Sequence, residues 1–429
     1  MSAAAGDLAL GIDVGTSGVR VAACGPDGRV VASAVVPMAE PDRGANGIRQ
    51  DAGVWWAATA AALDALAAKL DLGRVAALAV DGTSGTVLAV DAAGRPLAPG
   101  SLYNDPSGAP LAPRIAALAP PETAAHGSTS ALARAILLQE TPGAVRILHQ
   151  ADWIAANFSG RFDVTDENNA LKTGYDPVAR RWPAWIAAIG MRAALLPDVV
   201  PAGTPTGAVT AAAAARFGLA AGTPVVAGTT DGCAAFLATG AAVPGDAVTS
   251  LGTTLVLKLM SPVALFAPQY GLYSHRIGDL WLAGGASNSG GGALLAHFTP
   301  ERMRALEPAV VPDRPTGLDY YPLPAPGERF PVNDPALLPR LEPRPADDAT
   351  FFQGLLEGIA GVEALGYARL AELGGPKLRS VRTVGGGARN AAWTAIRAAR
   401  LAVPMLPPDE EEAAAGTARL AWRGLGHAA

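Results

Sequence analysis

Glycine-bearing turns, three of them with hydroxyl residues, recur at the ends of short apolar runs, four times along the chain. Asp13-Val14-Gly15-Thr16-Ser17-Gly18 ends the run from Leu8, and Gly228-Thr229-Thr230-Asp231 ends the run from Pro224. Gly252-Thr253-Thr254 separates two apolar stretches, and Gly385-Gly386-Gly387-Ala388-Arg389-Asn390 joins a third to a helical segment. Glycine tolerates positive φ and has no side chain, so backbone N–H groups in such turns approach an anion closely. One such turn arises often by chance. Four of them, two in each half, constrain the chain to an α/β architecture whose halves repeat a common motif order.

The element pattern agrees with this. Leu8 to Val14, Val19 to Cys24 and Val30 to Val36 read as strands, with hairpin punctuation at Gly25-Pro26-Asp27-Gly28. A helix follows over Trp55 to Leu70, a buried strand over Val75 to Val80, and a second hairpin from Thr86 to Val90 with a turn at Asp91 to Gly94. Pro224 to Gly228 is a further strand. The order then restarts: a hairpin over Asp246 to Leu259, a helix from about Ala293, a long helix over Phe351 to Leu373, a strand over Val381 to Val384 and a helix over Ala391 to Leu401. The 429 residues exceed one ordinary core, so two domains are expected, 1–238 and 239–429, the last helix, about 411–429, packing back on the first. The Pro-rich stretch Pro308 to Pro345 is long for a compact domain and signals a functional loop or partial disorder.

Composition removes several classes of function. Half of the residues are hydrophobic and 17% are charged, as in a packed globule. No apolar stretch approaches the ~18 residues that span a bilayer. The opening Met-Ser-Ala-Ala-Ala-Gly-Asp lacks a basic region followed by an apolar core, so a cytoplasmic location is expected. With a net charge of -5 and no basic stripe, neither nucleic acid nor membrane is an expected partner, and Arg389 and Arg397 are expected on a solvated helix face. Cys24 and Cys233 form no Cys-x-x-Cys pair, Cys233 reading as a packed hydrophobe. The five histidines (His126, His149, His275, His297, His427) lack ligand spacing, so no disulfide framework or zinc site is expected.

Two carboxylates stand where chemistry is expected. Asp13 reaches the end of its strand beside the Gly15-Thr16-Ser17 turn, where it can hold a hydrated Mg²⁺; the plainer reading is a hairpin with an exposed Asp. Asp231 follows a buried strand and can accept a proton from a hydroxyl; the plainer reading is a helix cap. The three glycines from Gly385 can cradle an adenosine.

This order of motifs resembles the FGGY carbohydrate kinases, of the actin, heat-shock chaperone and sugar kinase superfamily, across essentially the whole chain. The likeness extends to Gly284 to Gly292, Gly327-Glu328-Arg329-Phe330-Pro331 and the closing helix around Glu412 to Gly416. Asp81-Gly82-Thr83-Ser84-Gly85-Thr86, Tyr103-Asn104-Asp105, Asn168 to Tyr175 and Gly317 to Pro322 are similar to the cyanobacterial and plant D-ribulokinases, also labelled xylulokinase-like.

The resemblance implies a two-domain α/β fold of the ribonuclease H-like type with a catalytic cleft between the domains. The first domain would take sugar and phosphate and the second the nucleotide. ATP and Mg²⁺ are the implied cofactors, a small-molecule sugar the partner, and a monomer or homodimer the assembly. Asp231 would be the catalytic base and Asp13 would place Mg²⁺. Gly15, Thr16, Ser17, Gly252 and Thr253 would meet the phosphates. Gly386, Gly387, Asn390 and Trp393 would hold the adenosine, and Thr83, Ser84, Tyr103, Asp105 and Asp231 would contact the sugar. D-ribulose leads as acceptor, with D-xylulose as the alternative; a non-catalytic actin-like or chaperone-like switch is the reading of a different class. Glycerol kinases carry an Arg-Glu pair where this chain has Thr83-Ser84, which disfavours glycerol. Relatives usually place Ser after the catalytic Asp, and Gly232 here removes that hydroxyl, a change worth about 0.5–1.5 kcal/mol.

Overall fold

The computed structural model describes residues 6–44 and 47–427. It divides into two units. One gathers the chain up to Gly240, His275–Gly278 and the segment from Asp409 onward; the other takes Ala241–Ser274 and Asp279–Pro408.

The first unit is built on a six-stranded sheet in the order Pro205–Ala208, Pro224–Thr230, Val75–Gly82, Leu8–Val14, Gly18–Cys24, Val30–Pro37. The three opening strands form an antiparallel meander, with Val14 opposite Val19 and Gly18 opposite Pro37. Val75–Gly82 runs parallel to Leu8–Val14, and Pro224–Thr230 parallel to Val75–Gly82. Parallel neighbours need a crossover, and helix Ala52–Ala67 supplies the first. All seven residues of Leu8–Val14 are buried, which explains why its run is apolar but for Asp13.

Helix Ala52–Ala67 starts three residues ahead of the apolar pattern, because the Asp51 carboxylate accepts the Gly53 N–H at 2.8 Å and caps it. The expected second hairpin differs more. Asp91 N–H donates to the Arg95 carbonyl and closes the turn, yet Val87–Val90 pairs along its length with the distant strand Arg146–His149.

Helix Ala413–Gly424 packs on strand Leu8–Val14 and helix Asp231–Ala238. Two glycines permit this approach: a Cβ on Gly11 would lie 1.9 Å from the Ala414 carbonyl oxygen, and one on Gly416 would lie 1.9 Å from that of Ala234. Trp422 Nε1 donates to the Cys24 carbonyl at 3.1 Å, and Cys24 and Cys233 are both buried and outside any disulfide.

The second unit carries its own sheet, in which Leu280–Ser287, Leu255–Ser261, Asp246–Leu251, Ser380–Val384 and Met405–Leu406 lie side by side in that order. Again an antiparallel meander (Asp246–Leu251, Leu255–Ser261, Leu280–Ser287) is followed by parallel strands. The Pro-rich loop is ordered: bridges join Tyr321 to Arg340 and Glu328 to Asp334, and Tyr320, Leu323 and Phe330 are buried in the core beneath helix Asp348–Glu372.

Arg397 corrects the expectation of a solvated helix face. It is fully buried, and its Nε and Nη2 meet both oxygens of buried Glu363 at 2.6 and 2.7 Å, while Nη1 donates to Thr383 Oγ1. Among the described residues no helix is long and apolar enough to cross a membrane.

Candidate active site

Strand register assembles the acidic part of the site. Asp13 lies beside Asp81, Thr229 faces Asp81, Thr230 faces Gly82, and Asp231 then opens the helix Asp231–Ala238. Three carboxylates therefore stand at the carboxyl ends of three adjacent strands, where open α/β sheets present ligand sites.

Asp13 and Asp81 are buried. Burial pushes the Asp13 carboxyl up to about 6; a hydrogen bond with Asp81 and the Arg20 charge oppose it, while the Asp231 and Glu412 charges add to it. Asp81 is held well above the usual carboxylate range, by burial first and the Asp13 charge second. Asp81, the more deeply buried of the two, is the acid on which the pair keeps its proton. Thr417 Oγ1, from the closing helix, donates to Asp81 Oδ2, and Asp81 Oδ1 has no protein partner. Asp231 is half-buried and accepts the Gly232 N–H at 2.6 Å. A backbone group thus serves this carboxylate whatever side chain follows it.

Beyond Asp81, the chain from Gly82 to Thr86 turns beneath a set of polar side chains. Thr83 donates its backbone N–H and its Oγ1 hydroxyl to Gln150 Oε1, at 3.1 and 2.9 Å. Thr83 Oγ1 lies 2.6 Å from Thr86 Oγ1, which accepts the Tyr103 N–H at 3.1 Å. Arg134 fastens the turn by donating to the carbonyls of Gly85 and Ser101; burial pulls its pKa down to about 10.

Ser84 Oγ, Asn104 Oδ1 and Gln150 Nε2 are buried without a protein partner, and the Tyr103 ring is 45% exposed. Asp105, expected at the sugar, is instead engaged within the protein: Ser101 Oγ and Arg49 meet Oδ2, and the Ser107 N–H meets Oδ1. Burial raises its pKa, but these hydrogen bonds and the Arg49 charge outweigh that and leave it below the usual value.

The expected phosphate and adenosine residues fall in two places. In the first unit, Gly15 N–H donates to the Gly18 carbonyl at 3.0 Å and closes the turn, with Thr16 half-buried and Ser17 exposed. In the second, Gly252, Thr253, Gly386, Gly387, Asn390 and Trp393 all line one cavity of about 410 Å³. Asn390 Oδ1 accepts the Trp393 N–H at 2.7 Å, and Trp393 Nε1 donates to the Leu356 carbonyl at 3.1 Å, so the indole wall is fixed. A larger cavity, about 680 Å³, lies between the Pro-rich loop and helix Asp348–Glu372 and contains none of the expected residues. The smaller is the better nucleotide candidate, because two glycine turns open on it.

Among the described residues no group of three or more His, Cys, Asp or Glu side chains is placed to hold a metal by itself. Mg²⁺ typically takes one or two carboxylates, with water and substrate phosphates completing its octahedron. Asp13 beside an oxygen of Asp81 lacking a partner fits an ion arriving with the nucleotide, not a resident metal cage.

The sequence reading had not assigned roles to Asp81, Gln150, Arg134 or Thr417. Asp81 carried a signal, an Asp-Gly pair closing an apolar run as Asp13 does; Thr417 carried none, since its partner lies 336 positions away.

Taken together, the chain has the α/β two-domain fold of the sugar kinases. A protein named xyloylose kinase from Brucella ovis matches it with a TM-score of 0.86 at 25% identity, covering 98% of this chain and 91% of that one. The xylulose kinase from Rhodospirillum rubrum matches with a TM-score of 0.84 at 24% identity and the same coverage, 98% and 91%, a likeness of fold alone. Residues 8–129 and 137–238 match the N-terminal domain of the FGGY family of carbohydrate kinases, and residues 247–425 match its C-terminal domain. The chain belongs to the FGGY family.

Among curated proteins, the autoinducer-2 kinase of Yersinia enterocolitica is 32% identical over 308 residues, 64% of this chain and 56% of its own length. That of Klebsiella pneumoniae is 30% identical over 307 residues, with the same shares of 64% and 56%. The chain thus spans a little over half the length of the curated relatives it matches.

Proposed function

We propose that this protein phosphorylates the terminal hydroxyl of a free ketopentose with ATP, D-ribulose first, yielding D-ribulose 5-phosphate. The observation that carries the reading is the placement of Asp13, Asp81 and Asp231 on adjacent strand ends, with only Asp231 half-open to an acceptor. Asp231 accepts the proton of the attacking hydroxyl, and the Gly232 N–H orients its carboxylate. Asp81 keeps its proton and steadies the ionised Asp13. Thr16 and Ser17 are the phosphate contacts proposed in the first unit; in the second, Thr253 is the one proposed, and the cavity lined by Gly386 and Trp393 takes the adenosine. When bound beside Asp13, Mg²⁺ supplies neutralisation of the phosphate charge. Phosphoryl transfer asks little else of a protein than positioning and charge stabilisation.

D-xylulose is the second acceptor to consider, favoured by the name of the Brucella ovis relative. The test is a coupled ADP-release assay over ketopentoses, aldopentoses, polyols and autoinducer-2. Sugar-dependent ADP release with a ketopentose as best acceptor is the expected outcome. ATP turnover indifferent to every sugar would reject a kinase in favour of a switch.

A further inference from the structure

A side chain outside the expected set stands out beside the Gly82–Thr86 turn. Gln150 opens the helix Gln150–Ser159, directly after strand Arg146–His149, and only 1% of it is exposed. Its orientation is forced. Oε1 accepts both the backbone N–H and the hydroxyl of Thr83, at 3.1 and 2.9 Å, and the reversed amide would set N–H against N–H. Nε2 is thereby directed away from Thr83 with two N–H donors and no protein acceptor.

A buried donor left unsatisfied is costly and calls for an account. Gln150 is not isolated in this respect. Ser84 Oγ, adjacent in sequence to Thr83, and Asn104 Oδ1, adjacent to Tyr103, are likewise without protein partners, and the chain of hydrogen bonds from Gln150 through Thr83 and Thr86 to Tyr103 brings these segments together. Gly82, opposite Thr230 in the sheet, has its Cβ direction 3.1 Å from Gln150 Oε1, which places the cluster one step from Asp231.

We infer that Gln150 is a specificity-determining residue that donates from Nε2 to an oxygen of the acceptor, next to Ser84 and Asn104, so that the site reads a neutral polyhydroxylated ligand. The inference rests on the kinase reading above. A site built to hydrogen-bond a particular oxygen rejects an analogue lacking it far more strongly than an apolar pocket rejects a misfit.

The test is the isosteric substitution Gln150→Glu, which keeps an acceptor for Thr83 and replaces the amide donor. Steady-state kinetics with the best sugar and with its singly deoxygenated analogues are compared with wild type. Wild type should discriminate against one analogue by about tenfold or more in kcat/KM. Gln150→Glu should lose that discrimination, with the sugar KM raised by about tenfold and the ATP KM unchanged. An unaltered sugar KM, or an equal loss for every analogue, overturns the inference. Should Gln150→Glu fail to fold, Gln150→Met is measured in its place. Should neither fold, wild type that discriminates at no position overturns it. If wild type phosphorylates nothing, the kinase reading falls by itself. Calorimetric titration of the same sugars into both proteins then decides the role of Gln150, equal affinities counting against it.

Discussion

The two sheets follow one plan and differ in charge at the corresponding place. In the first unit the meander strand ends Asp13-Val14-Gly15, and Asp13 faces Asp81 on the parallel neighbour. In the second the matching strand ends Ser250-Leu251-Gly252, and Ser250 faces Val384. A shared backbone thus carries buried carboxylates in one copy and neutral residues in the other. The second unit does bury a charged pair, Arg397 with Glu363, but their polar atoms are taken by each other and by the Thr249 and Thr383 hydroxyls, and neither residue lines the cavity. Where an acid is buried without full compensation, as at Asp13 and Asp81, the fold is storing chemistry; where it is compensated, the fold is storing stability.

Removing the acid chemistry should have the largest effect. Asp231→Asn is expected to lower kcat by about 10²–10⁴-fold with little change in the ATP KM; near-normal turnover would remove Asp231 as base. Next in size, Arg397→Met leaves Glu363 buried without its cation and should cost about 3–5 kcal/mol in urea unfolding. A loss below about 1 kcal/mol would show that pair to be as dispensable as a surface one.

Gly386→Ala tests the uncharged site. Nothing lies within 4 Å of a Cβ there, so the protein accommodates it, but a nucleotide approaching the backbone would not. The ATP KM should rise by about tenfold, equivalent to about 1.4 kcal/mol, with the melting temperature unchanged. An unchanged KM would move the adenosine elsewhere.

The smallest effect is one of pH. Asp13 titrates near 6 in the folded chain, above the ordinary carboxylate value of 3.8, so the folded state binds the extra proton. Its contribution to stability is complete below that ordinary value and is lost as pH rises through about 6. Asp13→Asn should therefore gain stability over wild type between pH 5 and 8, by on the order of 1 kcal/mol, while losing activity. A gap that narrows with rising pH would contradict the assignment.

How much of this was legible in the sequence depended on distance along the chain. Leu8–Val14 and Ala391–Leu401 announce themselves with their own residues, because full burial writes a nearly continuous apolar run and an amphipathic helix a 3.6 period. Six of the residues lining the second-unit cavity were readable as a group because two glycine-rich turns mark where the backbone lies open. Partners set by tertiary pairing were not. Val87–Val90 does not advertise that it will meet Arg146–His149, and Arg397 looks like any helix-surface cation until Glu363 is seen opposite. Asp105 carries a site-like motif, but only its neighbours Arg49, Ser101 and Ser107 reveal that its oxygens are taken.

The hydroxyl of Thr417 arrives late in synthesis. A ribosome has completed the entire second unit before it makes the helix that covers Asp81 and lies against Gly11. The first unit, although begun first, is thus the last to be finished, and a nascent chain halted before Asp409 should leave its opening strand open to protease. Addition of the helix would close it, so that the first unit is complete only once the chain beyond Asp409 has been made.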